Sequence, residues 1–238
     1  MISDLHISVI EKRERAFFLI AAVIIAITAV SGFGLMAVVG ISSIYSPWWV
    51  HLHALSFMSW IALYLTQIVL IYRNNIAPHR RLGWIGAGLA AWMICLGLVL
   101  TPVTIWVGRA PRVFTLPFFL ALDWMNIVVF AALVFAAIRS YRNTDWHRRL
   151  MLCATICLIA PAWGRLLLLS GVGVTARNAV IPLIAYILAA MCADWRISGG
   201  VHRAYFWGVG AMVGFGLGIE VVASLPPITN LAHALSAH

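Results

Sequence analysis

The sequence predicts an all-α protein that crosses a membrane seven times. Of its 238 residues, 63% are apolar and only 10% are charged, and the mean hydropathy is +0.99. Uncharged runs recur along the chain, and several reach the roughly 20 residues that a helix needs to cross a bilayer. Basic residues are concentrated in alternate connections between these runs. This pattern excludes an ordinary soluble domain and indicates a polytopic membrane protein.

Seven runs have the composition of transmembrane helices. The first follows Lys12, Arg13 and Arg15 and is 25 uncharged residues long. It is too long for the apolar part of a cleavable signal peptide, so we expect it to remain as a span. The sixth run is short and starts near Pro182. The predicted spans are residues 16–40, 48–72, 82–107, 116–138, 150–173, 180–193 and 204–224, and together they are expected to form one domain covering residues 1–238.

The distribution of basic residues predicts the orientation. With the N-terminus in the cytoplasm, 12 of the 16 lysines and arginines lie inside, Arg165 lies within the membrane, and only Arg109, Arg112 and Arg177 lie outside. Such a bias is typical of cytoplasmic loops. It predicts that His238 lies on the outer side of the membrane. The net charge of +9 therefore reflects topology and anionic lipid headgroups, and it does not indicate nucleic-acid binding.

Five ionisable side chains are predicted at one depth in the outer leaflet. They are His51, His53, Asp123, Arg165 and Glu220. Each such group costs about 3 kcal/mol or more in hydrocarbon, so it usually faces protein or a cavity and marks a functional site. We therefore expect a polar pocket here, lined also by Trp60, Tyr64, Asn126 and Trp163.

Helix periodicity distinguishes the two histidines. His53 shares one helical face with Ser56, Trp60, Tyr64 and Gln67, whereas His51 lies about 200° away around the helix axis. This predicts that His53 faces the interior of the bundle and that His51 faces headgroups or a loop. In this arrangement the two histidines cannot bind the same metal ion.

The charged residues allow two interpretations. A salt bridge between Arg165 and Asp123 or Glu220 would hold these side chains in the membrane for structural reasons alone. Alternatively, Glu220 or Asp123 as acid and His53 as base would form a catalytic pair beside Arg165. Pro161 is expected to kink the helix that carries Arg165.

A short motif recurs before three helices that run outward. His79, His147 and His202 each stand beside an arginine, two or three residues before a predicted span, so the later helices resemble three hairpins added to the first helix. The histidines are interpreted as interfacial residues, and as ligands of a metal or haem only if the three helix starts converge. The last span carries Gly210, Gly214 and Gly218, a face suited to close helix packing inside the bundle or in a homodimer.

Two segments resemble known membrane proteins. The chain resembles an uncharacterised family of bacterial multi-pass membrane proteins in two segments. The first runs from His51 through Trp60 and Gln67 to Gly83 and is written HxHA…W…Q…HRRLG, and the second is the later segment DxHRRLM. A weaker similarity is to cytochrome b561-type helix hairpins, which implies haem b. His53 and His79 are 26 residues apart, on opposite sides of the membrane, so a haem would have to use inner-side histidines such as His79 and His147.

Three functions follow from these patterns. The first is binding of a small lipophilic molecule from the outer leaflet, with proton-transfer chemistry such as isomerisation or cyclisation, and it needs no cofactor. The second is electron transfer by a b-type haem. The third is proton-coupled transport or sensing, for which carboxylates within the membrane and a kinked helix are also typical. The first is favoured because the ionisable groups share one depth.

The orientation can be tested with reporters fused to the C-terminus. An alkaline phosphatase fusion should be active, because this enzyme is active outside the cytoplasm. A green fluorescent protein fusion should stay dark, because its reporter would be exported by the same route. The physical reason is the 12-to-three asymmetry in basic residues. A fluorescent and phosphatase-negative pair of fusions would show the opposite orientation.

Overall fold

The computed structural model describes residues 2–40 and 43–237, with side chains for residues 9–40, 43–175 and 178–237. His238 and the Arg177 side chain lie outside the described residues. The regular structure of the described ranges is helical throughout. The helices are α1 (Ile2–Val38), α2 (Trp48–Tyr72), α3 (Ile76–Trp106), α4 (Leu116–Arg139), α5 (Thr144–Leu158), α6 (Ala160–Leu169), α7 (Ala176–Ser198), α8 (Ala204–Ser224) and α9 (Pro226–Ser236).

Seven membrane spans are present, which confirms the predicted fold class. Each is long and apolar enough to cross a bilayer, and α5 and α6 together form the fifth span, Thr144–Leu169. We call the end of the bundle that carries Glu14, Arg148 and Arg203 the inner end, following the predicted orientation. The opposite end, which carries His51 and Arg109, is called the outer end.

The predicted bounds hold for α2 and α8, whereas α1, α3, α5 and α7 begin earlier than expected. The start of α3 at Ile76 places Pro78 in the first turn, where proline is tolerated. In α5, the Asn143 side chain caps the helix by accepting a hydrogen bond from the Trp146 backbone N–H. His79 and His147 therefore lie within helices, which corrects the prediction that they precede them. Pro182 lies inside α7 and does not mark its start.

The fifth span is broken where the sequence predicts a kink. Helix α5 ends at Leu158 and α6 begins at Ala160, with Ile159 between them. Pro161 occupies the first turn of α6, where its missing N–H breaks the ladder of hydrogen bonds. The break separates the part of the span that carries Arg149 from the part that carries Arg165.

The fifth span is the centre of the bundle. Its neighbours form a closed ring in which α1 packs on α2, α2 on α3, α3 on α4, α4 on α8, α8 on α7, and α7 on α1. Of the fifth span's membrane-crossing window, 56% is buried, compared with 22–33% for the other six spans. Small residues such as Cys153, Ala154 and Ala162 let the surrounding helices approach closely.

The last helix, α9, is absent from the prediction. It folds back across the outer ends of α3 and α4, where Ala232 is fully buried against Ile105 and Leu120. Pro226 and Pro227 end the span of α8 and begin α9, since proline fits the first turn of a helix but not its interior. Its 11 residues are too few to cross a bilayer.

The glycines of α8 divide between two faces. Gly218 packs against Met125 of α4, and Gly208 and Gly216 pack against Cys153 and Val180. At Gly210 and Gly214 an added methyl group would meet nothing within 4 Å. Close packing inside the bundle therefore uses Gly218 of the predicted face together with Gly208 and Gly216, and a homodimer through Gly210 and Gly214 stays a prediction.

Two glycines of α1 provide a matched test of the ring. A Cβ at Gly32 would lie 2.6 Å from the Ala162 carbonyl oxygen on the central span, whereas a Cβ at Gly34 would meet nothing. We expect Gly32→Ala to destabilise the protein by roughly 1–3 kcal/mol through overpacking. Gly34→Ala should be neutral or stabilising by up to about 1 kcal/mol, because alanine favours the helix. Thermal unfolding in detergent measures both, and equal effects would contradict the α1–α6 contact.

Candidate functional site

Arg165 of α6 is the centre of the polar residues at the outer end. Its guanidinium Nη1 donates to the Pro161 carbonyl oxygen at 2.9 Å, and its Cζ lies 4.2 Å above the centre of the Phe33 ring. Among the described residues, no carboxylate oxygen lies within the 4.0 Å of a salt bridge. The predicted contact ion pair with Asp123 or Glu220 is therefore not formed there, because backbone and aromatic partners take the place of a carboxylate.

Asp123 of α4 has a different direct partner. Its Oδ2 accepts a hydrogen bond from the Thr101 hydroxyl of α3 at 3.1 Å. Asp123 and Arg165 still interact electrostatically through the space between them. The two side chains therefore do not form a direct salt bridge with each other.

His53 belongs to the same region but is not buried. Its neighbours along the predicted face, Ser56, Trp60 and Tyr64, are buried, so the face is oriented as expected. His53 lies one turn nearer the outer end, where it is exposed and still within electrostatic range of Arg165. We call His53, Asp123 and Arg165 the outer cluster.

The other outer-leaflet ionisable residues lie apart from this cluster. His51 is exposed, and its Nε2 is 3.1 Å from the Ile44 carbonyl oxygen of the preceding loop, in agreement with the predicted loop contact. Glu220 is exposed on α8 and makes no salt bridge to a described side chain. Of the five residues that were expected to form one polar site, only the three residues of the outer cluster are therefore assigned to it.

Two predicted pocket residues instead join helices. The Trp60 indole N–H donates to the Thr155 hydroxyl at 3.4 Å, and its ring meets Phe130 edge-on at 5.1 Å. The Asn126 amide donates to the Cys157 carbonyl oxygen at 3.1 Å. Both side chains are buried, and both bind the central span to the surrounding ring.

Trp163 and Tyr64 also differ from the predicted arrangement. The Trp163 ring lies edge-on to Tyr186 at 6.3 Å, and its buried indole nitrogen has no hydrogen-bond partner among the described residues. Tyr64 lies in the inner half of α2 and is close to Tyr205 and Cys153. It is therefore not part of the outer cluster.

An open apolar cavity of about 770 Å³ lies at the outer end. It is lined by the end of α3, the start of α4 and the end of α9, including Ile105, Trp106 and Leu116. Its volume is within the range of small-molecule sites. Ile105 follows Thr101 by one helical turn, so the cavity begins close to the Thr101–Asp123 hydrogen bond.

A second group of charges closes the inner end. Arg149 of the central span is only 3% exposed, and its Nε is 3.2 Å from both carboxylate oxygens of Asp194 on α7. Its Nη2 donates to Asp194 and, at 3.0 Å, to Glu14 of α1. Arg148 donates to Glu14 at 2.8 Å and to Asp145 at 2.5 Å. We call these five residues the inner ion network.

The inner ion network borders a pocket of about 410 Å³, which also includes His202. The His202 backbone N–H donates to Asp194 at 2.9 Å, and its Nδ1 accepts from the Ala204 N–H at 3.2 Å. Burial and, next, the positive charge of Arg149 lower the pKa of His202, although Asp145 and Asp194 act in the opposite direction. The neutral imidazole is therefore favoured, which fits its role as an acceptor.

The inner histidines do not form one site. His79 and His147 lie within electrostatic range of each other, and the His147 Nδ1 is 2.8 Å from the Ala137 carbonyl oxygen. His202 belongs to the inner pocket instead. Across the described ranges, no group of three or more histidine, cysteine or acidic side chains is placed to hold a metal ion.

The sequence did not predict the inner ion network, because the basic residues of the inner end were attributed to topology and anionic lipid headgroups. Only seven residues of the chain are acidic, and Glu14, Asp145 and Asp194 all fall beside the inner ends of spans. Acids at these positions oppose the positive bias of the cytoplasmic side, and that conflict is a signal for buried ion pairs. It indicates pairing without indicating which arginine is buried.

Comparison with known proteins shows no relative. No protein-family model matches the chain, and neither the curated proteins nor the solved structures contain a significant match.

Arg149 should be essential to stability. Arg149→Ala leaves Asp194 buried without a counter-charge, which should cost about 3–5 kcal/mol, or roughly 6–20 °C in Tm. Adding Asp194→Leu should recover part of this loss. The matched control is Arg142→Ala, because Arg142 is exposed and contacts only Tyr141 among the described side chains. Thermal unfolding in detergent measures all four proteins, and similar effects at both arginines would contradict a structural ion network.

Proposed function

We propose that the outer cluster binds a small amphiphile from the outer leaflet of a bacterial inner membrane. Its polar head is an anion or another strong hydrogen-bond acceptor, such as a carboxylate, and Arg165 is the donor that recognises it. His53 and Asp123 flank the head and are placed to exchange protons with it. This is the first of the three functions that the sequence suggests.

The observation that supports this proposal is the unused hydrogen-bonding capacity of Arg165. A guanidinium has five N–H donors, and one of them is bonded within the described residues. An arginine at membrane depth pairs with acidic side chains or with backbone carbonyls. Arg149 in the same span has two acidic partners, whereas Arg165 has a single carbonyl oxygen. A ligand carboxylate would occupy the donors of Arg165 in a bidentate arrangement.

The surroundings of Arg165 suit the remainder of such a ligand. Phe33 lies under the guanidinium, and Phe57 lies 4.8 Å from Phe33, so one side of the cluster is aromatic. The apolar cavity near Thr101 offers a further surface for a hydrocarbon portion. The His53 side chain is exposed, so a ligand can reach it from the outer end.

The chemistry proposed for this site is proton transfer. In this proposal His53 acts as base and Asp123 as acid on one bound molecule that Arg165 holds. General acid–base catalysis of this kind contributes typically about 10²–10⁴-fold to a rate. Isomerisation or cyclisation of an isoprenoid-like substrate is a reaction that such a pair can catalyse. Glu220 is not assigned a role because it lies apart from the outer cluster.

Ligand binding can be tested with the fluorescent fatty acid cis-parinaric acid and its methyl ester, using protein in nanodiscs. Wild-type protein should bind the acid more tightly than the ester. Arg165→Gln should weaken acid binding at least about tenfold, the effect of losing a charged hydrogen bond, and leave ester binding unchanged. His53→Ala should also weaken binding, whereas His51→Ala should not.

The matched control is Arg112→Gln, because Arg112 is an exposed arginine at the same end. Equal binding of acid and ester, or an unchanged Arg165→Gln variant, would contradict the proposal. The same preparation also gives a visible absorption spectrum. A Soret band in it would select the alternative function of a haem electron carrier.

A further inference from the structure

The inner half of the bundle contains several buried polar atoms without a protein partner. Among the described side chains, the Tyr64 and Tyr205 hydroxyls, Gln67 Oε1 and His79 Nδ1 make no hydrogen bond. Tyr64 is 7% exposed and Tyr205 is fully buried. Buried hydroxyls almost always have a partner, and one that has no protein partner is commonly bonded to internal water.

The two tyrosines lie close together around the central span. Tyr64 of α2 and Tyr205 of α8 are within electrostatic range of each other and of Cys153 on α5. Gly208, one turn after Tyr205, packs so closely on Cys153 that a methyl group there would clash with its sulfur. Two buried hydroxyls without a protein partner thus lie in the same half of the bundle as a buried thiol.

This location adjoins the inner pocket. Arg149 lines the pocket, and its Cζ lies 5.9 Å from the centre of the Tyr205 ring. Arg149 and Asp194 therefore stand between solvent at the inner end and the two tyrosines. A water molecule needs two to four polar partners, and the hydroxyls together with this ion pair supply them.

We propose that Tyr64 and Tyr205 bind internal water that is continuous with the inner pocket past Arg149 and Asp194. This water forms a path by which protons reach Cys153 from the inner end. The path is independent of ligand binding at the outer cluster. The path ends on the inner side of Thr155, because the Thr155 hydroxyl is already bonded to the Met151 carbonyl oxygen and to Trp60.

Hydrogen exchange at single thiols tests this path. Cys153 and Cys157 are one helical turn apart and both fully buried, but Cys157 lies toward the outer end, bonded to Asn126. Two variants are made, each keeping one of these cysteines and replacing the other three with serine or alanine. In D₂O, infrared spectroscopy follows conversion of the S–H stretch to S–D. Cys153 should exchange at least tenfold faster than Cys157.

A second measurement uses the tyrosines themselves. Tyr205→Phe and Tyr64→Phe should each lower Tm and slow Cys153 exchange, because each removes a partner of the water. The double variant should cost less than the sum of the two. Two control variants calibrate these effects. Tyr186→Phe removes a hydroxyl that is bonded directly to Thr28. Tyr45→Phe removes a solvated hydroxyl, because Tyr45 is 89% exposed.

Two outcomes would overturn the proposal. One is exchange at Cys153 that is no faster than at Cys157. The other is a higher or unchanged Tm in both Tyr64→Phe and Tyr205→Phe, which would mean that the hydroxyls are buried without water. The thiol comparison keeps both tyrosines intact, so it decides the question even if a tyrosine variant fails to fold.

Discussion

The arrangement of the whole bundle depends on the burial of the fifth span. This span packs against α1, α4, α7 and α8 and is hydrogen-bonded to α2, and 56% of its membrane-crossing window is buried. The polar groups on its buried part must find a partner in protein or internal water, because lipid offers them none. Thr155 and the Cys157 carbonyl oxygen have such partners in Trp60 and Asn126. Small side chains make the span thin enough to be enclosed, and bulky substitutions in it would separate the ring helices.

The same span carries an arginine near each end, and the two are satisfied differently. Arg149 has two acidic partners from α1 and α7, so it joins three helices that are distant in sequence. Arg165 has one carbonyl oxygen and one aromatic ring. Because both residues belong to one span, membrane depth alone does not explain the difference. The inner arginine is built into the fold, and the outer one has a single hydrogen bond among the described residues.

Hydrophobicity was sufficient to predict the seven spans. The bounds of α2 and α8 were predicted to the residue, because their apolar runs begin at Trp48 and Ala204 directly after loop residues. The starts of α3 and α5 were missed, since polar and basic first turns resemble loops. Periodicity predicted the buried face of Ser56, Trp60 and Tyr64. It could not predict the exposure of His53 or the pairing of Arg149 with Asp194, because both depend on which helices are neighbours.

The two ends of the molecule therefore differ in rigidity and in access. At the inner end, charge pairs tie α1, α5 and α7 together, and breaking one would leave a buried charge, so movement there is costly. At the outer end, α6 is separated from α5 by the break at Ile159, and its arginine is held by weaker contacts. A ligand that binds Arg165 would add the strongest contact that α6 makes at this end. Under the proposed function, a ligand would therefore bind beside the ten-residue helix α6, at the end of the bundle that these charge pairs do not tie together.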